Sequence, residues 1–202
     1  MTILTRMEIL SELMRLKYGI SITGSHGKTT TTSLLSHILH DNNLDPTYLI
    51  GGMLKTDDPH VKLGNSNYLI TETDESDPNF TILKPHLVVL TNLDSEHLEN
   101  YGDSFENLKK SMQNFINSIP FYGQAFINGD DLNSINICKK INRDIMFSVW
   151  KNGSNRLKFD LFGSQITNFY IWNWLHLKKL VKSTLLRKGG KLVRKLDNYT
   201  TN

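Results

Sequence analysis

The stretch Ile22-Thr23-Gly24-Ser25-His26-Gly27-Lys28-Thr29-Thr30 holds the residue types that cradle a nucleotide triphosphate. Glycines let backbone N–H groups face phosphate oxygens, a helix beginning just after them adds the positive end of its dipole, and a lysine brings a point charge. The hydroxyl of Thr29, directly after that lysine, suits Mg2+. The spacing departs from the general phosphate-loop pattern, whose earlier glycine would fall at Ile22; here Gly24 and Gly27 stand three apart. A glycine turn that merely starts a helix is the plainer alternative. Strand-type residues before the turn and helix-type residues after it argue against that alternative.

Two further clusters follow β-type runs. Glu72-Thr73-Asp74-Glu75-Ser76-Asp77 gathers four carboxylates, a crowding that is costly unless a cation shares it. Hard oxygen donors suit Mg2+ carried by a nucleotide. Alone, this segment reads as a solvated acidic loop with helix-capping residues; paired with the phosphate-type loop, it reads as a metal site. The third cluster is Thr91-Asn92-Leu93-Asp94-Ser95-Glu96-His97. The chain has seven histidines, and a lone histidine is more often structural than catalytic, but His97 closes the third motif to fall at a strand end.

The elements that must position these clusters alternate. Ile9, Leu10, Leu13 and Met14 recur at helical spacing, and Ile20 to Thr23 is a β-type run. Thr29 to Leu39 places Leu34, Leu35 and Ile38 on one helical face. Strands are predicted at Thr47 to Ile50, Tyr68 to Glu72, Leu87 to Leu90 and Gln124 to Ile127, and helices at Phe105 to Asn117 and Leu132 to Lys140. The alternation predicts an α/β fold, a mostly parallel sheet with helices on both faces. Ligands of such sheets bind at the carboxyl ends of the strands, where all three clusters fall.

A net charge of +3 describes neither part of the chain. Residues 1–145 hold 12 Lys and Arg against 18 Asp and Glu, whereas residues 146–202 hold 11 against 2. All three tryptophans lie in the second part, and the strand–helix rhythm is expected to stop near Met146. Leu175 to Leu196 can be drawn as a basic helix interrupted by Gly189 and Gly190. The composition break divides the chain into a domain, 1–145, and a basic tail, 146–202. A basic extension for lipid or nucleic acid and out-of-frame translation both explain such a tail, and the abruptness of the break favours the latter. Neither a nucleic-acid nor a membrane partner is therefore expected. The single cysteine, Cys138, excludes an intrachain disulfide framework, and Arg6 and Glu8 interrupt any signal-peptide core. A cytoplasmic protein is the expectation.

Gly-Ser-His-Gly-Lys-Thr-Thr-Thr, the Asp-Glu-Ser-Asp of residues 74–77 and the Asn92 to His97 pattern together resemble the central ATP-binding domain of the Mur ligases. Ile119-Pro120-Phe121-Tyr122-Gly123 and Tyr101 to Leu108 resemble the branch that joins L-alanine to UDP-N-acetylmuramate in peptidoglycan precursor synthesis. The resemblance implies ATP and Mg2+ as cofactors, with Gly24, Ser25, His26, Gly27, Lys28, Thr29 and Thr30 around the phosphates. It implies Lys28, Glu72 and His97 as catalytic residues and Thr29, Glu72 and His97 as metal ligands, with Glu75 a second candidate. It also implies UDP-N-acetylmuramate and L-alanine as substrates. Family members carry a domain on either side of this one, and the likeness starts near residue 5. Two expectations follow: a ligase whose other domains come from another chain, or an inactive fragment that at best binds Mg-ATP.

Overall fold

The computed structural model describes residues 3–51, 60–143, 145–150 and 157–162, the last two as backbone apart from the buried Ile145. Helix α1 (Arg6–Arg15) opens with Thr5, whose hydroxyl accepts the Glu8 N–H while the Glu8 carboxylate takes the Thr5 N–H at 2.7 Å. Its buried stripe, Met7, Leu10 and Met14, keeps the helical spacing. Strand β1 (Tyr18–Thr23) then runs into the glycine loop and helix α2 (Lys28–Asp41). Strands β2 (Thr47–Leu49), β3 (Val61–Lys62), β4 (Tyr68–Glu72) and β5 (Leu87–Leu90) follow. Short 3-10 turns occupy Pro78–Ile82 and Leu98–Tyr101. Helix α3 (Phe105–Asn117), strand β6 (Gln124–Asn128) and helix α4 (Leu132–Cys138) continue the alternation. Strands β7 (Ile145–Trp150) and β8 (Leu157–Phe162) end the described chain.

The sheet order is β3-β2-β4-β1-β5-β6-β7-β8. The six inner strands, β2, β4, β1, β5, β6 and β7, are mutually parallel, and β3 and β8 close the two edges antiparallel. Side chains alternate across the sheet as the strand period requires. Ile20, Ile22 and Ile70 meet Leu39 of α2 on one face. Leu69, Val88, Leu90, Ala125 and Ile127 meet α1, α3 and α4 on the other. Helices therefore cover both faces, as the alternation predicts.

The strand–helix rhythm expected to stop near Met146 gives way to strand pairing instead. Strand β7 begins at Ile145, lies parallel to β6, and is followed by β8 in antiparallel register from Ile145↔Phe162 to Trp150↔Leu157. Backbone pairing is indifferent to net charge, so a break in composition does not mark the end of a sheet. Residues 163–202, including the basic helix drawn over Leu175 to Leu196, lie outside the described residues. Among the described residues no helix is long and apolar enough to cross a membrane.

The chain leaves β1 toward β2 on one side and leaves β5 toward β6 on the other. Between such strands the following loops part and open a crevice at the strand ends. The loops after β1, β4 and β5 border it.

Candidate functional site

The loop between β1 and α2 is shaped by two glycines at positive φ, Gly24 at 126° and Gly27 at 80°. A side chain at Gly24 would stand 2.3 Å from Thr91 Oγ1 and 2.6 Å from the Asn92 carbonyl oxygen, so only glycine lets the two strand-end loops touch. The Ser25 N–H donates to the Asn92 carbonyl at 3.2 Å, and the His26 N–H donates to Asn92 Oδ1 at 2.8 Å. Asn92 Nδ2 returns a bond to the His26 carbonyl at 3.1 Å, and Thr91 Oγ1 donates to the same oxygen at 2.7 Å. The loop is thus pinned from behind by the segment after β5.

That pinning refines the expected phosphate cradle. The N–H groups of Ser25 and His26 are spent on Asn92. The first helical bond of α2 runs from Thr31 N–H to the Gly27 carbonyl at 3.0 Å, which leaves the N–H groups of Lys28, Thr29 and Thr30 without intrahelical partners. The positive end of α2 therefore supplies the donors that an anion would meet.

Lys28 folds back over the loop. Its ammonium donates to the Gly24 carbonyl at 2.7 Å and to Glu75 Oε2 at 2.9 Å, with a longer contact to the Ser25 carbonyl at 3.4 Å. Glu75 is 5% exposed, and burial pushes its carboxyl above the ordinary range against the opposing pull of Lys28. One turn along, Thr29 Oγ1 donates to both oxygens of Glu72, at 2.9 and 3.1 Å. Glu72 also accepts the Gly51 N–H at 2.8 Å. A threonine hydroxyl and a carboxylate converging beside a helix N-terminus form an all-oxygen donor set of the kind Mg2+ takes.

The structure places Glu72 in hydrogen-bond contact with Thr29, next in the chain to Lys28. His97 stands apart: it is exposed, starts the Leu98–Tyr101 turn in the left-handed region at φ 55°, and its side chain makes no hydrogen bond among the described residues. Thr30 is exposed on α2. The His26 side chain turns to the β5 loop, with Nε2 2.9 Å from Asp94 Oδ2 and 3.7 Å from Glu96 Oε2.

Sequence reasoning assigned no role to Asn92, Asp94 or Asp131. Asp131 Oδ2 caps α4 through the Ser134 N–H at 2.9 Å and the Ser134 hydroxyl at 2.5 Å, and also takes the Leu93 N–H at 3.0 Å. The Asp131 capping signal, an aspartate just before an apolar run, was present in the sequence; its reach across to Leu93 was not.

A parallel sheet that delivers a glycine loop, a lysine and a threonine–carboxylate pair to one helix N-terminus defines a phosphate-loop α/β domain. The chain belongs to the Mur ligase family: the model of the Mur ligase middle domain matches residues 22–186, past the composition break at 145. It is 46% identical over 153 residues to a UDP-N-acetylmuramate--L-alanine ligase of Dechloromonas aromatica, covering 76% of this chain and 33% of the relative. The ligase of the same name from Wigglesworthia glossinidia brevipalpis is 42% identical over 192 residues, 94% of this chain and 40% of that one. The chain thus spans about a third to two fifths of the length of these relatives. Its fold is that of the MurF ligase from Thermotoga maritima solved in complex with ADP, with a TM-score of 0.55 at 22% identity, covering 75% of this chain and 38% of the other.

Proposed function

We propose that this chain is the Mg-ATP-binding part of an ATP-dependent ligase that joins L-alanine to UDP-N-acetylmuramate in peptidoglycan precursor synthesis. The observation that carries the reading is the convergence of the Lys28 ammonium and the Thr29–Glu72 pair on the N-terminus of α2. The names of the curated relatives and the ADP bound by the Thermotoga maritima neighbour support it.

In this reading Gly24, Ser25, His26, Gly27, Lys28, Thr29 and Thr30 surround the phosphates, Thr29 and Glu72 would hold one Mg2+, and His97, which stands apart from that pair, would serve a second metal position. A metal held there would supply charge neutralisation for the triphosphate. Lys28, Glu72 and His97 are the catalytic residues. A carboxylate oxygen of the sugar substrate attacks the γ-phosphorus; the bond to the bridging oxygen breaks and ADP leaves. The amine of L-alanine then attacks the acyl carbon of the resulting acyl phosphate, inorganic phosphate departs, and the amine proton passes to solvent. Negative charge moves onto the bridging oxygen in the first step, where the Lys28 ammonium and the free N–H groups of α2 offset it. Positioning and electrostatics carry this chemistry, with no covalent enzyme intermediate.

The test is phosphate release from ATP by the purified chain, with and without each substrate. Release that requires both L-alanine and UDP-N-acetylmuramate supports the ligase. A second reading is that this stretch binds Mg-ATP without turning it over. Calorimetric binding of Mg-ATP without release establishes it, and the absence of binding overturns both.

A further inference from the structure

Lys28 is held before any nucleotide arrives, and the residue that holds it is Glu75. The carboxylate lies in the turn after β4, its side chain 7% exposed, with Oε2 2.9 Å from the ammonium. The turn itself is clamped. Tyr101, buried in the core, donates its hydroxyl to the Glu75 carbonyl at 2.5 Å, and Asn100 Nδ2 donates to the Ser76 carbonyl at 2.9 Å. Tyr101 and Asn100 belong to the 3-10 turn that His97 opens. A chain of contacts therefore runs from that turn through Tyr101 and Glu75 to the phosphate-loop lysine.

A free lysine carries several rotatable bonds, and ordering it on binding costs entropy. Here the Gly24 carbonyl and the Glu75 carboxylate fix its head from two sides, leaving one of its three donors poorly used at 3.4 Å. We propose that Glu75 is the positioning residue of Lys28, keeping the ammonium folded over the loop so that its remaining donor meets the incoming phosphate. Glu75 acts through Lys28 and touches no reacting atom. The inference rests on the nucleotide-binding reading for its second test only.

The first test needs no nucleotide. The full chain is acylated with trace acetic anhydride, and each lysine's reactivity is read by peptide mass spectrometry. In the wild type Lys28 reacts slowly beside exposed lysines; in Glu75→Ala its reactivity rises at least fivefold while Lys84 and Lys110 are unchanged. Unaltered Lys28 reactivity overturns the proposal, whether or not the chain binds ATP. The second test is a double-mutant cycle on Mg-ATP affinity. Glu75→Ala weakens binding about tenfold when Lys28 is present and less than twofold in a Lys28→Met background. Glu75→Gln, which keeps an acceptor at the same place, recovers at least half of the loss. An equal loss in both backgrounds assigns Glu75 a purely structural role and overturns the proposal. Slow Lys28 labelling that Glu75→Ala relieves, in a chain that binds no Mg-ATP, upholds the positioning contact and sinks the nucleotide reading instead.

Discussion

Asn92 offers the sharpest perturbation of the site, because its one side chain makes two of the three bonds that hold the His26 backbone to the loop after β5. Its Oδ1 takes the His26 N–H at 2.8 Å and its Nδ2 gives to the His26 carbonyl at 3.1 Å. Asn92→Ala removes both. Each such bond, partly open to solvent, is worth roughly 0.5–1 kcal/mol net, so the loop loses about 1–2 kcal/mol of anchoring. The Ser25 and Thr91 contacts remain and keep the fold intact. If the pinned loop is the binding-competent one, nucleotide binding must restore that anchoring, and Mg-ATP affinity falls about 5- to 30-fold. Asn92→Asp sharpens the test. The aspartate still accepts the His26 N–H, but its second oxygen faces the His26 carbonyl and repels it. The Asn92→Asp chain should therefore bind no more tightly than the Asn92→Ala chain, although aspartate is closer to asparagine in size. Isothermal calorimetry of the wild type and the two variants decides the matter. Affinities within twofold of wild type in both variants, with unchanged melting temperatures, would refute the argument that pinning from behind prepares the loop.

Four further outcomes follow. Lys28→Ala abolishes ATP turnover and lowers Mg-ATP affinity at least tenfold, read by phosphate release and calorimetry. Glu72→Ala removes the response of nucleotide affinity to Mg2+ while leaving metal-free binding within threefold; titrations with and without EDTA show it. Asp131→Ala loses a helix cap and leaves the Leu93 N–H unpaired, costing about 2–3 kcal/mol. At roughly 2–4 °C per kcal/mol its melting point drops by about 4–12 °C in a thermal scan. His86 accepts the Gly19 N–H through Nδ1 at 3.1 Å, and burial lowers its pKa from the ordinary 6.5. The unfolded chain then binds the proton more readily, so stability is full above pH 6.5 and is lost as pH falls below it. His86→Asn, which keeps an acceptor, flattens that loss in urea titrations between about pH 5 and 7.

The central sheet was legible because its strands announce themselves: Leu87 to Leu90 is a continuous apolar run, and Tyr68 to Glu72 ends in the acids that face the crevice. The edges were not. Strand β3 is two residues long, too short for a period, and in β8 the alternation of Leu157, Phe159 and Leu161 with Lys158 and Asp160 ends at once in Phe162, within a basic stretch. Within the site, Lys28 and Thr29 stand out by their order after the glycines, whereas Glu72 is singled out among its neighbouring carboxylates only by the family resemblance. The bond from Lys28 to Glu75 could be read from neither. Glu75 was one of four carboxylates in six residues, and only the burial of its turn under Tyr101 distinguishes it from Asp74 and Asp77. The turning away of the Ser25 and His26 N–H groups is likewise a property of two loops 66 residues apart, invisible to any local pattern.

The place of β1 in the sheet has a consequence for how the chain folds. Both of its neighbours come later: Tyr18 pairs with Tyr68 and Ile20 with Leu87. During synthesis the glycine loop emerges before its two walls, which do not exist until the chain has grown past Asn92. Such distant pairings close large loops and are slow to form. The apolar β1 strand must wait unpaired through that interval, exposed to wrong partners. A nucleotide can help only after the three central strands have met, so it is expected to slow unfolding while leaving the folding rate nearly unchanged.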